Sequence, residues 1–379
     1  MEANKQRKIP VCQPFMNGQE IDYVMDAVKT GWISSSGKYV TAFEQEFAKY
    51  CGVEHGIAVC NGTVALHLAL AALGIGQGDE VIIPDFTMIA SAAAVIYTGA
   101  KPVFVDADTN TWNMDAERIE GKITPHTRAI MPVSIFGNPC AMDRINQIAD
   151  KHSLYVIEDA AEAHGAEYRG QKTGALADIT AFSFFANKNL TTGEGGMVVT
   201  NDKKMADRCR YFKNLCFPLE APRNYLHEDI GFNYRMSNLH AAIGLAQVEK
   251  ADAYRTMRIH NAELYRKFLK DVPGIIFQQD TQDAVNVHWM NAILLDPARS
   301  GTTRDALIEH LKANGIETRL LFVGMHHQPC LQRYGCDVAG AYPVADGLTA
   351  NGLYLPSASN LSEDDIRYIC DAIREATHG

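Results

Sequence analysis

The chain has 379 residues, 47% of them hydrophobic and 21% charged, with a formal net charge of −10. That length exceeds what one hydrophobic core usually supports, so two domains are expected, and the composition is that of a globular chain rather than a disordered one. The acidic balance, without any basic block, excludes nucleic acid as an expected partner, and the longest apolar runs, such as VALHLALAAL, are too short to imply a membrane.

In chain order, the opening MEANKQRKIPVCQP has basic residues but no apolar stretch or cleavage site after them, so a cytoplasmic location is expected. From about residue 55 to 200, short β-branched runs alternate with helical patterns. HGIAV precedes TVALHLALAALG, DEVIIP precedes TMIASAAAVIYTG, and then come KPVFVD, TRAIMPV, DRINQIADKHS, LYVIED, FSFF and GMVVTND. This alternation predicts an α/β fold with a mainly parallel sheet and helices on both faces. From about 237 to 270 apolar residues recur at helical spacing, predicting two helices or one long connecting helix. The apolar face of 237–250 exceeds what one domain needs, which points to an interface. HWMNAILL, TTRDALIEHLKANG and SEDDIRYICDAIREAT then predict a smaller α/β unit, so residues 1–250 are expected to form a large domain and 251–379 a small one. The nine cysteines include no CxxC pair, which fits reduced thiols.

Parallel sheets collect ligands beyond the carboxyl ends of their strands, so polar residues there come first. LYVIED stops at Glu158 and Asp159; Asp159 either caps the following turn or faces a ligand. In CNGTVALHLAL, Asn61, Gly62 and Thr63 open a helix whose free amides suit a phosphate, although simple capping accounts for them as well. FFANKNLTTGEGG sets Lys188 between phenylalanines and a glycine-rich turn that is neither a Walker loop nor a dinucleotide fingerprint. A strand-end Asp, a phosphate-ready helix start and a lysine among aromatics are together the anchors that pyridoxal 5′-phosphate (PLP) requires.

Through WISSSGKYV, NGTVALHLAL, GIGQGDEVIIP, FVDAD, VIEDAAEAHGA, FSFFANKNLTTGEGGMVVTND, GFNYRMSNLHAAIGLAQ and NGLYLPS, the chain resembles the DegT/DnrJ/StrS aminotransferases of nucleotide-sugar biosynthesis, nearly end to end. The resemblance implies the type I PLP-dependent aminotransferase fold, and transfer of an amino group from L-glutamate to a nucleotide-linked 4-keto-6-deoxy sugar, GDP-4-keto-6-deoxymannose being the first choice. It implies that Lys188 binds the cofactor covalently and acts in catalysis, that Asp159 faces the pyridine nitrogen, and that Glu162 lies beside the ring. Gly62, Thr63 and Ser183 would hold the phosphate. Asn233 would reach it from a neighbouring subunit, so a homodimer with shared active sites is expected. Trp32 and Ser34 fall in the substrate-side loop. Lys38, Arg235, Arg319, His326 and His327 are the basic groups expected near the nucleotide sugar. No metal is expected, because adjacent histidines on a loop should point apart and no carboxylate has ligand spacing to them.

The chain departs from the family pattern in places. Met88 stands where relatives usually carry an aromatic residue over the cofactor face, and a thioether can still contact a ring. Ala186 replaces a glycine, Gly324 replaces a proline, and the segment 214–229 replaces a glycine-rich stretch. The last two leave the sugar open, so UDP- or dTDP-linked 3- or 4-keto sugars remain alternatives. The presence of Lys188 argues against the family's dehydratase branch, where a histidine replaces that lysine, and a non-catalytic PLP-binding regulator is the alternative of another class.

Overall fold

The computed structural model describes residues 7–220 and 225–378; within the segment 214–229, residues 221–224 lie outside the described residues. Seven strands form the main sheet, in the spatial order His55–Val59, Gly196–Thr200, Ile179–Ser183, Tyr155–Asp159, Thr127–Ile130, Glu80–Pro84 and Lys101–Val105. Only Gly196–Thr200 runs antiparallel to its neighbours; the remaining pairings are parallel. Such strands, buried on both faces, read as continuous apolar runs: VIIP, VIED and the whole of GMVVT are buried.

One face of the sheet is covered by Gly62–Ala72, Ala90–Tyr97 and Lys203–Lys213, the first two almost wholly apolar. The region from 237 to 270 resolves into two helices, Asn238–Val248 and Ala251–Leu269. Asn238–Val248 is buried along most of its length because Glu20–Thr30 and Lys38–Cys51 pack on it. The apolar surplus expected to mark an interface is therefore absorbed within the chain.

A four-stranded antiparallel sheet, in the order Ile275–Phe277, Asn291–Leu295, Gly352–Leu355 and Arg319–Leu320, forms the C-terminal layer with Glu363–His378 and Arg304–Ala313. The chain's beginning returns to this layer: Ile9 pairs with Ile316 and is buried in the same core as Leu295, Leu311 and Ile369. None of the described helices is long and apolar enough to cross a membrane.

Candidate active site

Two loops leaving the carboxyl ends of neighbouring strands build the site. The strand Tyr155–Asp159 ends with Asp159 buried, its side chain on the opposite face from that of Glu158. Asp159 Oδ2 accepts from the Ser91 hydroxyl at 2.8 Å and Oδ1 from the Ala161 amide at 3.2 Å. Burial raises its pKa, and these two bonds and nearby Lys188 only partly oppose that, so the carboxylate is stabilised by a cation brought to it.

The adjacent strand Ile179–Ser183 leads into the loop carrying Lys188. Phe184 anchors this loop, packed edge-on against Phe43 and Phe47, while its carbonyl accepts from Thr192 N–H and its amide donates to Gly195. Gly193, at φ +83°, closes the loop in a backbone region that a side chain disfavours. Held at the tip, Lys188 is only 11% exposed, with Nζ 3.7 Å from Glu162 Oε1 and 3.7 Å from the centre of the Trp289 ring. Burial lowers the lysine's pKa, against the pull of Glu162 and Asp159. Burial likewise raises Glu162 to about 7, with Lys188 and the Phe136 amide, 2.7 Å from Oε2, opposing it.

The helix Gly62–Ala72 starts beside Ser183. Asn61 Oδ1 caps it by accepting from Val64 N–H at 3.0 Å, which leaves the amides of Gly62 and Thr63 without a partner inside the helix. A Cβ on Gly62 would lie 2.6 Å from Ser183 Cβ and 3.0 Å from its Oγ, so glycine lets the helix start close onto the serine hydroxyl. Unpartnered amides and a hydroxyl gathered at a helix N-terminus fit a phosphate group.

Gly62, Thr63, Met88, Asp159, Glu162, Ser183 and Lys188 all line one cavity of about 630 Å³. The phosphate-suited helix start, the buried Asp159 and the amine beside Glu162 all face it. That donor set fits PLP: an amine for its aldehyde, a buried carboxylate for its ring nitrogen and amides for its phosphate. Met88 is 47% exposed, and its Sδ accepts from Ala90 N–H at 3.0 Å.

The remaining expected residues do not line this cavity. Asn233 is exposed, its backbone bridged to Asn214. Trp32 and Lys38 line a separate groove of about 570 Å³, where Lys38 pairs with Asp26 at 2.9 Å. Ser34 uses its carbonyl to hold Asn238 N–H. Arg235 bonds Asn214 Oδ1 at 2.8 Å, and Arg319 pairs on the surface with Glu317. The expectation that His326 and His327 point apart is corrected: their ring centres are 3.9 Å apart, tilted at 41°, and both Nε2 atoms meet Asp346 Oδ1, because a turn of 3-10 helix at Met325–His327 brings the rings side by side.

The sequence reading missed several residues at the site. Ser91 and Trp289 hold Asp159 and Lys188 from distant parts of the chain; the Trp289 indole N–H also donates to Asn187 O at 2.8 Å. Phe136, at φ +57°, offers its amide to Glu162 and had no signal in sequence. His164, stacked on Phe182 beneath the loop, is pushed down to about 3 by burial and is neutral. Away from the cavity, Asp85, a strand-end carboxylate in VIIPD, had the same signal as Asp159.

Residues 14–374 match the DegT/DnrJ/EryC1/StrS aminotransferase family. The chain is 46% identical to a GDP-perosamine synthase of Escherichia coli O157:H7, over 97% of this chain and 98% of that one. It is also 46% identical to a GDP-perosamine synthase of Caulobacter vibrioides, over 97% of each. The PLP form of a putative sugar aminotransferase from Streptococcus pneumoniae superposes with a TM-score of 0.90 at 25% identity, covering 98% of this chain and 99% of the other. The family match, the named relatives and the superposed fold agree, and the chain belongs to the DegT/DnrJ/EryC1/StrS family of PLP-dependent sugar aminotransferases.

Proposed function

We propose that this enzyme transfers the amino group of L-glutamate to the ketone of GDP-4-keto-6-deoxymannose, giving GDP-perosamine. The choice of sugar is supported by the 46% identity, over nearly full length, to two relatives named for that product. The site assignment is carried by one observation: a buried amine, two buried carboxyls and an open helix N-terminus face a single cavity.

PLP, when bound, supplies an aldehyde that bonds to amines and a ring that draws electrons from the attached carbon. Lys188 is the residue that bonds it, and its Nζ afterwards carries the proton taken from the donor's Cα; burial, by disfavouring the ammonium form, suits the amine to both tasks. Asp159 keeps the ring nitrogen protonated. Glu162 balances the charge of Lys188 and orients it, and the Trp289 ring lies against its Nζ as well. Gly62, Thr63 and Ser183 would hold the phosphate, Met88 would contact the ring, and Asn233 would complete the phosphate site of a partner subunit, making the working unit a homodimer. Trp32, Ser34, Lys38, Arg235 and Arg319 are the residues for the nucleotide and diphosphate. The surface ion pairs now holding Lys38 and Arg319 are weak enough to exchange for a diphosphate.

Borohydride reduction of the holoenzyme followed by peptide mapping should place the cofactor on Lys188, and a label on another lysine defeats the assignment. Assays of GDP-, UDP- and dTDP-linked keto sugars with glutamate, following 2-oxoglutarate, should show a preference for the GDP sugar. A clear preference for a UDP or dTDP sugar overturns the substrate and leaves the transaminase intact.

A further inference from the structure

Outside the cavity, at the carboxyl edge of the main sheet, the loop around Met325–His327 closes over Asp85. This aspartate is fully buried just beyond the strand Glu80–Pro84. Its carbonyl accepts from Met325 N–H at 2.8 Å, Oδ1 from His326 N–H at 2.9 Å, and Oδ2 lies 2.7 Å from His326 Nδ1. Gly324 makes this approach possible, because a Cβ there would fall 2.7 Å from Asp85 Oδ2 and 2.9 Å from His326 Nδ1.

Asp85 thus sets the orientation of the His326 ring, holding it at Nδ1 and leaving Nε2 to meet Asp346. Nε2 stands 3.1 Å from Asp346 Oδ1, and His327 Nε2 stands 2.7 Å from the same oxygen. Both Nε2 atoms thus converge on one carboxylate oxygen, an arrangement that a divalent cation among the three groups would satisfy. The three donor atoms lie within 4.8 Å of one another, and the two close separations, 3.1 and 2.7 Å, would open toward the ~3.4 Å edge of a tetrahedron with ~2.1 Å metal–ligand bonds when an ion enters. Two imidazoles and one carboxylate, with one imidazole hydrogen-bonded behind by a second carboxylate, form a donor set for metals of borderline softness.

We propose that His326, His327 and Asp346 bind one divalent ion of the zinc class, with Asp85 orienting His326. His327 and Asp346 are about half exposed, at 52% and 50%, so the ion enters from solvent and keeps a position for water. It ties the helix Pro343–Asn351, which carries Asp346, to the edge of the main sheet through the histidine loop.

The test uses holoenzyme treated with chelator, then equilibrated with Zn2+ and analysed for metal after gel filtration. One equivalent per chain is expected, with affinity at least about tenfold weaker in His327→Ala and in Asp346→Asn and about 10–100-fold weaker in Asp85→Asn. Both ligand positions are exposed enough to be substituted without unfolding the chain, and unchanged cofactor absorbance and circular dichroism verify this. Co2+ in place of Zn2+ should give visible bands without the charge-transfer band of a thiolate ligand. The proposal is overturned by substoichiometric binding to the wild type, by wild-type affinity in both ligand variants, or by a thiolate band that assigns the metal to cysteine.

Discussion

Glu158 and Asp159 are consecutive carboxyls on one buried strand, yet alternation sends them to different tasks. Asp159 faces the cavity and, among the described residues, takes a hydroxyl and an amide as its side-chain hydrogen-bond donors. Glu158, on the other face, accepts from Gly174 N–H, Ser134 and Thr180. Asp159→Asn should keep the fold and lower the rate of 2-oxoglutarate release by at least about 10–100-fold, the equivalent of a lost charge-assisted hydrogen bond of ~1.5–3 kcal/mol. Near-normal turnover in a PLP-loaded variant contradicts the role given to Asp159.

Glu158 is instead a stability residue. Burial raises it to about 7, above its ordinary 4.5, so between those values the native chain holds a proton that the unfolded chain has lost. Stability therefore falls as pH rises through this window, by about 3 kcal/mol at most. Glu158→Gln removes the titration, so its melting temperature should decline less than that of the wild type between pH 5 and pH 8, with activity largely retained. Parallel declines in the two proteins would rule this out.

At the level of elements, the phosphate site depends on how closely the helix Gly62–Ala72 approaches the strand Ile179–Ser183. A methyl group at position 62 meets Ser183 Cβ at 2.6 Å, and strand backbone cannot yield as a flexible side chain would. Gly62→Ala should destabilise the chain by about 1–3 kcal/mol in urea unfolding and weaken PLP retention along with it. Wild-type affinity for PLP in that variant would show that the close approach is not what builds the site. The βα alternation between 55 and 200 was legible because both of its periodicities are local. The helices Glu20–Thr30 and Lys38–Cys51 were missed, although Tyr39, Phe43 and Phe47 recur every fourth residue and are all buried. Their effect is large, since they cover the apolar helix that sequence alone assigned to an interface.

At the level of the whole molecule, Asn233 is exposed and outside the cavity of its own chain, next to a surface carrying exposed Tyr225, Leu226 and Ile230. If it serves a partner's phosphate site, mixing inactive Lys188→Ala and Asn233→Ala subunits regenerates one intact site in each mixed dimer. With random exchange, recovery of about a quarter of wild-type activity is expected. Absence of recovery while both variants dimerise and exchange subunits would place Asn233 outside the partner's site.

The cavity and its anchors could be read from sequence because each is marked by its own neighbours along the chain: a strand ending in Asp159, a helix opening at Gly62, an aromatic-flanked Lys188. What sits against those anchors could not. Ser91 on Asp159, Trp289 on Lys188, and Asp346 on the two histidines are contacts between residues far apart in sequence, set by how the layers pack. The same packing decided the charges. Burial raises Glu162, lowers Lys188 and leaves His164 neutral, and burial belongs to the assembled layers rather than to any stretch of the chain.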